Sequence, residues 1–230
     1  MLAGRRAVGE PLAWITGRTM FCGLQVRVHP GVYVPRWQTE PLARRAAEAL
    51  GTTGTAVDFC TGTGAIAAVL EARRPRSTVF ATDVDPVAVA CARANGVNAV
   101  TGDLDATLPK ELRGNVDVIT AVAPYVPSER LHLLPRDTLA FEPRAALDGG
   151  PGGTHLLSRV ITRSSEWLRP GGTLLVEIGG DQYEPIAALM RRFGFVDVDV
   201  LTDEEGDHRA ILGRARAGTS ARSDPPRAFG

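Results

Sequence analysis

At 230 residues and 24.4 kDa, with 44% hydrophobic and 23% charged side chains, the chain is long enough to bury a core without disulfides or a structural metal. Its 26 basic and 26 acidic residues cancel, which argues against a nucleic-acid groove as the main surface. No run approaches the roughly 18 apolar residues of a membrane span, and no secretory signal opens the chain. Cys22, Cys60 and Cys91 lie far apart without metal-ligand spacing. Together these features predict a cytoplasmic protein with no metal, no nucleic-acid partner and no membrane partner.

Residues Met1 to Thr19 are polar and carry no long amphipathic pattern. Phe21 to Val34 alternate apolar and polar positions around His29-Pro30-Gly31, which predicts a β-hairpin. The spacing of Leu42, Ala46 and Leu50 predicts a helix over 38–50. Beyond Gly54, short apolar runs at 56–59, 78–81, 97–100, 116–121 and 173–178 are mostly separated by helical segments at 65–73, 86–94, 155–168 and 183–193. Buried strands alternating with helices predict a mostly parallel sheet with helices on both faces. Two late runs, 195–201 and 208–212, are close enough to pair antiparallel at the sheet edge. Residues 213–230, rich in Arg, Ser, Gly and Pro, read as a disordered tail.

The strongest motif is Val57-Asp58-Phe59-Cys60-Thr61-Gly62-Thr63-Gly64-Ala65, which leaves a predicted strand and opens a helix. Gly62 and Gly64 permit a tight turn and a close backbone approach to a ligand, although a purely structural turn would look similar. The next strand ends at Asp83, where an acid can accept hydrogen bonds from both ribose hydroxyls or cap the following helix. Gly102-Asp103-Leu104 after the third strand places an acid and an apolar side chain where a base would lie. The loop lacks the lysine of a phosphate-binding P-loop and the third glycine of a dinucleotide fingerprint. A nucleoside without a polyphosphate fits better, and S-adenosylmethionine (SAM) is one. Asp58 then either lies near its amino group or satisfies the loop backbone.

These motifs, followed by a strand ending in Pro124-Tyr125, resemble a class I SAM-dependent methyltransferase, and more narrowly the glutamine-N5 methyltransferases of peptide-chain release factors. Pro11-Leu12-Ala13-Trp14, Val34-Pro35-Arg36-Trp37-Gln38-Thr39-Glu40 and Phe141-Glu142-Pro143-Arg144 agree. The resemblance implies a Rossmann-like α/β fold: a seven-stranded mostly parallel sheet with helices on both faces, preceded by an N-terminal hairpin. It implies an N-terminal segment over 1–50 covering the cleft, a methyltransferase domain over 51–212 and the tail over 213–230. SAM is the implied cofactor. Cys60, Thr61, Gly62, Thr63 and Gly64 would wrap its methionine end, Asp83 would hold the ribose, and Asp103 with Leu104 would border the adenine. Cys60 stands where the family usually has glycine. The family commonly carries a helical domain ahead of the hairpin, and this chain is expected to lack it.

One departure bears on chemistry. The family's fourth strand leads into Asn-Pro-Pro-Tyr or Asn-Ala-Pro-Tyr, whereas this chain has Val122-Ala123-Pro124-Tyr125. The resemblance implies that the asparagine oxygen accepts one hydrogen of the substrate amide and a following carbonyl accepts the other. Valine has no acceptor. Val122, bordering the cofactor, with Ala123 and Pro124 on the substrate side, would instead form an apolar wall suited to a small organic substrate of secondary metabolism. Methyl transfer to it, or another SAM-dependent alkylation such as ring closure to a cyclopropane, is the leading expectation. A release factor or other protein glutamine is the alternative substrate, and a non-catalytic SAM-binding module is a third reading.

Tyr125 is expected beside the sulfonium, or else in the core, and Glu177 is expected as a general base or else as a solvated strand-end acid. Trp14, Trp37 and Glu142 complete the expected substrate lining; a structural pairing of Glu142 with Arg144 is the competing reading.

Overall fold

The computed structural model describes residues 2–216. Two short helices, α1 (Leu2–Ala7) and α2 (Leu12–Thr16), open the chain. The segment without a sequence pattern is seated by one aromatic anchor. Trp14 is buried, donates Nε1–H to the Val32 carbonyl at 2.9 Å, and meets the Phe141 ring edge-on at 6.3 Å.

The N-terminal hairpin forms earlier than expected, from β1 (Arg18–Phe21) and β2 (Leu24–Arg27). Its turn is Cys22-Gly23, with φ of 49° and 81°, rather than His29-Pro30-Gly31. Two consecutive positive φ values match the right-handed strand twist and close a two-residue loop, a geometry that Pro30 cannot adopt. The Glu40 carboxylate accepts the Cys22 N–H at 2.9 Å, which ties this turn to the start of α3 (Glu40–Leu50). Leu42, Ala43, Ala46, Ala47 and Leu50 of α3 are buried at helical spacing, so one face of the helix seats on the sheet.

The remaining elements alternate as the apolar runs predict: β3 (Thr55–Phe59), α4 (Ala65–Arg73), β4 (Thr78–Asp83), α5 (Pro86–Ala94), β5 (Ala99–Thr101) and β6 (Val116–Ala121). A short α6 (Arg136–Phe141) precedes α7 (His155–Trp167), β7 (Leu168–Glu177), α8 (Tyr183–Arg192), β8 (Phe195–Thr202) and β9 (His208–Ala215). The seven-stranded sheet has the order β5-β4-β3-β6-β7-β9-β8, and β9 runs against both its neighbours. Part of the expected tail is therefore structured, because Gly213 to Ala215 pair as the last rungs of β9; residues 217–230 lie outside the described residues.

Side chains of the central strands alternate between two apolar clusters. Ala56, Val118 and Leu175 pack with α3, α4 and α5 on one face, while Val57, Phe59, Ile119, Ala121 and Val176 pack with α7 and α8 on the other. A one-residue slip would exchange the faces, so register is held by burial on both sides. Strand order reverses between β3 and β6, which opens a crevice at their carboxyl ends. Among the described residues no helix is long and apolar enough to cross a membrane.

Candidate active site

A cavity occupies that crevice, with about 950 Å³ of space including its open mouth. Its lower wall comes from the β3 loop (Asp58, Cys60, Thr61, Gly62, Thr63) and the end of β4 (Asp83, Val84, Asp85). The opposite wall comes from Val32, Tyr33, Pro35 and Thr39, from Val122 and Pro124 after β6, and from Pro143, Ala145 and Ala146.

The first wall is polar and preorganised. Asp83 accepts the Gly62 N–H on Oδ2 at 2.8 Å and the Asp85 N–H on Oδ1 at 3.0 Å. Each of its oxygens keeps acceptor capacity beyond those bonds. Asp85, not Asp83, caps α5 by accepting the Val87 N–H. Gly62 has φ of 56°, and a Cβ added there would meet nothing within 4 Å. It would project into free space at the cavity wall, where a ligand's close approach requires its absence. Gly64 serves a different end: it has φ of 77°, and a Cβ there would come within 3.0 Å of Ala92 and Val97. Gly64 thus seats α4 against α5 and lies off the cavity wall. Cys60 also has positive φ, 53°, which explains why glycine suits this position. Burial, reinforced by Asp83 and Asp58, pushes its thiol well up, so it remains protonated.

Asp58 is buried beneath the loop and receives hydroxyl donors on both oxygens, Thr61 at 2.6 Å and Thr120 at 2.7 Å. Register pairs Asp58 with Thr120, so β6 presents that hydroxyl directly. Burial pushes the Asp58 carboxyl up to about 6 against the pull of the two hydroxyls.

The second wall is apolar and held from behind. Cβ atoms at Gly149 and Gly153 would come within 2.7 Å of the Pro124 carbonyl and 2.1 Å of the Tyr125 carbonyl. Both positions must therefore be glycine for that loop to lie against the Pro124-Tyr125 backbone. Gln182 locks the arrangement by donating Nε2–H to the Tyr125 carbonyl at 2.8 Å and to the Gly152 carbonyl at 3.1 Å.

Several expected site residues stand off the cavity wall. Tyr125 gives its hydroxyl proton to Glu177 Oε1 at 2.9 Å, and Thr39 gives its own to Glu177 Oε2 at 2.5 Å. Glu177 is 4% exposed and is thus a buried acid with both oxygens engaged, not a solvated strand end. Burial pushes the Glu177 carboxyl and the Tyr125 hydroxyl up. Glu142 is buried as well, yet it pairs with Arg36 rather than Arg144 and accepts the Val34 N–H at 3.4 Å. Arg144 goes to Asp148. Trp14 is a core residue, Trp37 is 64% exposed, and Ala123 is buried behind the wall. Asp103 pairs with Arg159 at 2.7 Å at the surface, and Leu104 is buried in the core at positive φ.

Tyr33, Thr39, Val84 and Ala146 line the cavity without having been expected there. Tyr33 is stacked beneath the Arg36 guanidinium, 5.0 Å from its ring centroid, and burial raises its hydroxyl to about 12. The signal that could have found Thr39 is its place in the Trp37-Gln38-Thr39-Glu40 run ahead of the helix.

The Methyltransferase small domain family matches residues 24–119. A release factor glutamine methyltransferase of Geobacter sulfurreducens is 34% identical over 219 residues, 93% of this chain and 76% of that protein. One of Moorella thermoacetica is 38% identical over 220 residues, covering 92% and 77%. Among solved structures, a ribosomal protein L11 methylase of Lactobacillus delbrueckii subsp. bulgaricus has the same fold, with a TM-score of 0.58 at 20% identity over 84% of this chain and 86% of that one. The polar wall fits SAM: Asp83 has acceptor capacity for a ribose, and the Gly62 backbone is bare toward the cavity. The chain belongs to the release factor glutamine methyltransferase family and is a class I enzyme whose cofactor is SAM.

Proposed function

We propose that the chain methylates a glutamine side-chain nitrogen of a polypeptide, with a release factor as the substrate to test. The observation that supports this reading is the extent of the likeness. It covers 93% of the chain at 34% identity, so it takes in both walls and not only the cofactor loop. Bound against the polar wall, SAM supplies an electrophilic methyl carbon. Asp83 would accept the ribose hydroxyls, and Gly62 and Thr63 would border the methionine end. Asp103, which pairs with Arg159 at the surface, and Leu104 beside it would border the adenine.

The opposite wall would orient the acceptor. Tyr33, Pro35, Val122, Pro124, Pro143 and Ala146 form an apolar throat that suits the two methylenes of a glutamine and excludes water from its amide. Tyr125 and Glu177 act from behind it as positioning residues. A buried amide N–H left without an acceptor at Val122 would cost about 1–3 kcal/mol, or about one to two decades in rate. A glutamine is accommodated only if another group takes that hydrogen.

A small organic acceptor is the second reading, and Val122 on the cavity wall is the observation that favours it. The relatives' names give it no support. The three free thiols suit the reducing cytoplasm in which either substrate would be met.

Incubation of the purified chain with methyl-labelled SAM and purified release factor tests the proposal. Label at a single glutamine, located by mass spectrometry, is the expected result. An unlabelled release factor under conditions where SAM binds overturns it.

A further inference from the structure

We propose that the Thr39 hydroxyl replaces the missing side-chain oxygen at position 122 and accepts one N–H of the substrate amide; this rests on the glutamine reading above. Ala121 pairs with Val176 in the last rung of the β6–β7 ladder, and Val122 and Glu177 are the residues that follow these two in the chain. Rungs of a parallel ladder project to the same face, and neighbouring strands lie about 4.8 Å apart. Val122 packs with the cluster that includes Val118 and Leu175, which identifies that face as the one covered by α3. Thr39, at the N-terminus of α3, reaches Glu177 with its hydroxyl and lines the cavity that Val122 also lines.

The Thr39 hydroxyl has an unusual assignment. Threonine at a helix N-cap ordinarily accepts a backbone N–H of the first turn. Thr39 makes no such bond. Its single proton goes instead to Glu177 Oε2 at 2.5 Å. With that proton committed, the oxygen can act toward the cavity only as an acceptor. Donation to a carboxylate also polarises the hydroxyl and strengthens it in that role. Tyr125, donating to Oε1 at 2.9 Å, prevents Glu177 from turning away.

The Asp58 and Asp83 carboxylates stand on the cofactor wall, and the other hydroxyl of the acceptor wall, Tyr33, belongs to the side chain stacked beneath the Arg36 guanidinium. Thr39 lines the same cavity as Val122. The two halves of the amide clamp would then be the Thr39 oxygen and a backbone carbonyl following Val122. Glu177 and Tyr125 position Thr39 without touching the substrate.

The test compares wild type, Thr39→Val, Thr39→Ser, Val122→Asn and the double variant Thr39→Val/Val122→Asn on release factor, with SAM affinity measured by calorimetry. Thr39→Val is expected to lower kcat about 10- to 100-fold, with KM and SAM affinity unchanged within about twofold. Thr39→Ser should retain kcat within about threefold, and Val122→Asn should restore the Thr39→Val enzyme to a similar level. A wild-type kcat in Thr39→Val overturns the proposal. So does a loss that Val122→Asn leaves unrepaired.

A wild-type enzyme that leaves release factor unlabelled would defeat the glutamine reading separately. The acceptor role is then read from ligand binding. Sinefungin carries an amine in place of the transferable methyl, and S-adenosylhomocysteine carries no group there. Thr39→Val should weaken sinefungin about tenfold and leave S-adenosylhomocysteine unchanged. An equal effect on both, or none, overturns the proposal in that case too.

Discussion

The two walls of the cavity are built on different principles. The cofactor wall comes from one short stretch, Asp58 to Thr63, plus Asp83 at the end of the adjacent strand, and its polar groups are already paired with one another. The acceptor wall is gathered from residues 32–39, 122–124 and 143–146, and its shape is imposed by contacts behind it: Trp14 on Val32, Arg36 on Glu142, and Gln182 on Tyr125. A wall made of one loop keeps its chemistry locally. A wall made of three distant segments depends on packing elsewhere, so it can change its chemistry one residue at a time, as Val122 illustrates.

Separate failure of the two walls is the sharpest consequence. Trp14→Ala should cost about 3–5 kcal/mol of stability by denaturant unfolding, since it removes a buried indole and orphans the Val32 carbonyl. SAM affinity of the folded protein should stay within about threefold. A stability loss below about 1 kcal/mol would show that the acceptor wall stands without its anchor.

Asp83→Ala should do the converse, weakening SAM about 30- to 100-fold in calorimetry, because it removes both the ribose acceptor and the hydrogen bond that holds Gly62. Unchanged affinity would remove the cofactor assignment from this wall.

Asp58 lies beneath the loop and pairs across to β6, so it tests the floor on which the cofactor wall stands. Its carboxyl titrates near 6 in the folded protein, against an ordinary value of 3.8. Between those values the native state holds a proton that the unfolded chain has released. That stabilisation is complete below about pH 4 and is lost as pH rises through about 6. Asp58→Asn should remove this component, flattening the decline by at most about 1.4 kcal/mol per pH unit, measured as denaturant midpoints from pH 4 to 7. Equal slopes in the two proteins would mean that Asp58 is ionised throughout.

Trp37→Ala should have the smallest effect, within about 0.5 kcal/mol in stability and with SAM binding unchanged, because the side chain is 64% exposed and off the wall. A larger loss of substrate affinity than of stability would make Trp37 an exposed docking residue for the polypeptide.

The cofactor wall was the part most legible in the chain. Its residues are consecutive, its glycines mark turns, and the strand–loop–helix order constrains where each side chain goes. Cys60 shows the limit of that reading: only its φ of 53° explains why the position suits glycine. The hairpin was anticipated but misplaced, because alternation in 21–34 says nothing about which adjacent pair can hold two positive φ values. Trp37 and Thr39 were harder still. A 3-10 turn over Trp37–Thr39 leaves the indole in solvent and the hydroxyl on Glu177, and no spacing rule at two-residue separation distinguishes those outcomes.

The amino-acid sequence alone determined the alternating strands and helices, the late antiparallel hairpin and the glycine loop with its acids, since each depends on neighbours within about 20 residues. Tertiary structure alone decided that the Thr39 hydroxyl meets Glu177 and that Glu142 is the acid that meets Arg36. Those partners lie 138 and 106 residues apart in the chain. Their meeting is set by sheet register and by the seating of α3, and neither is written in any local pattern.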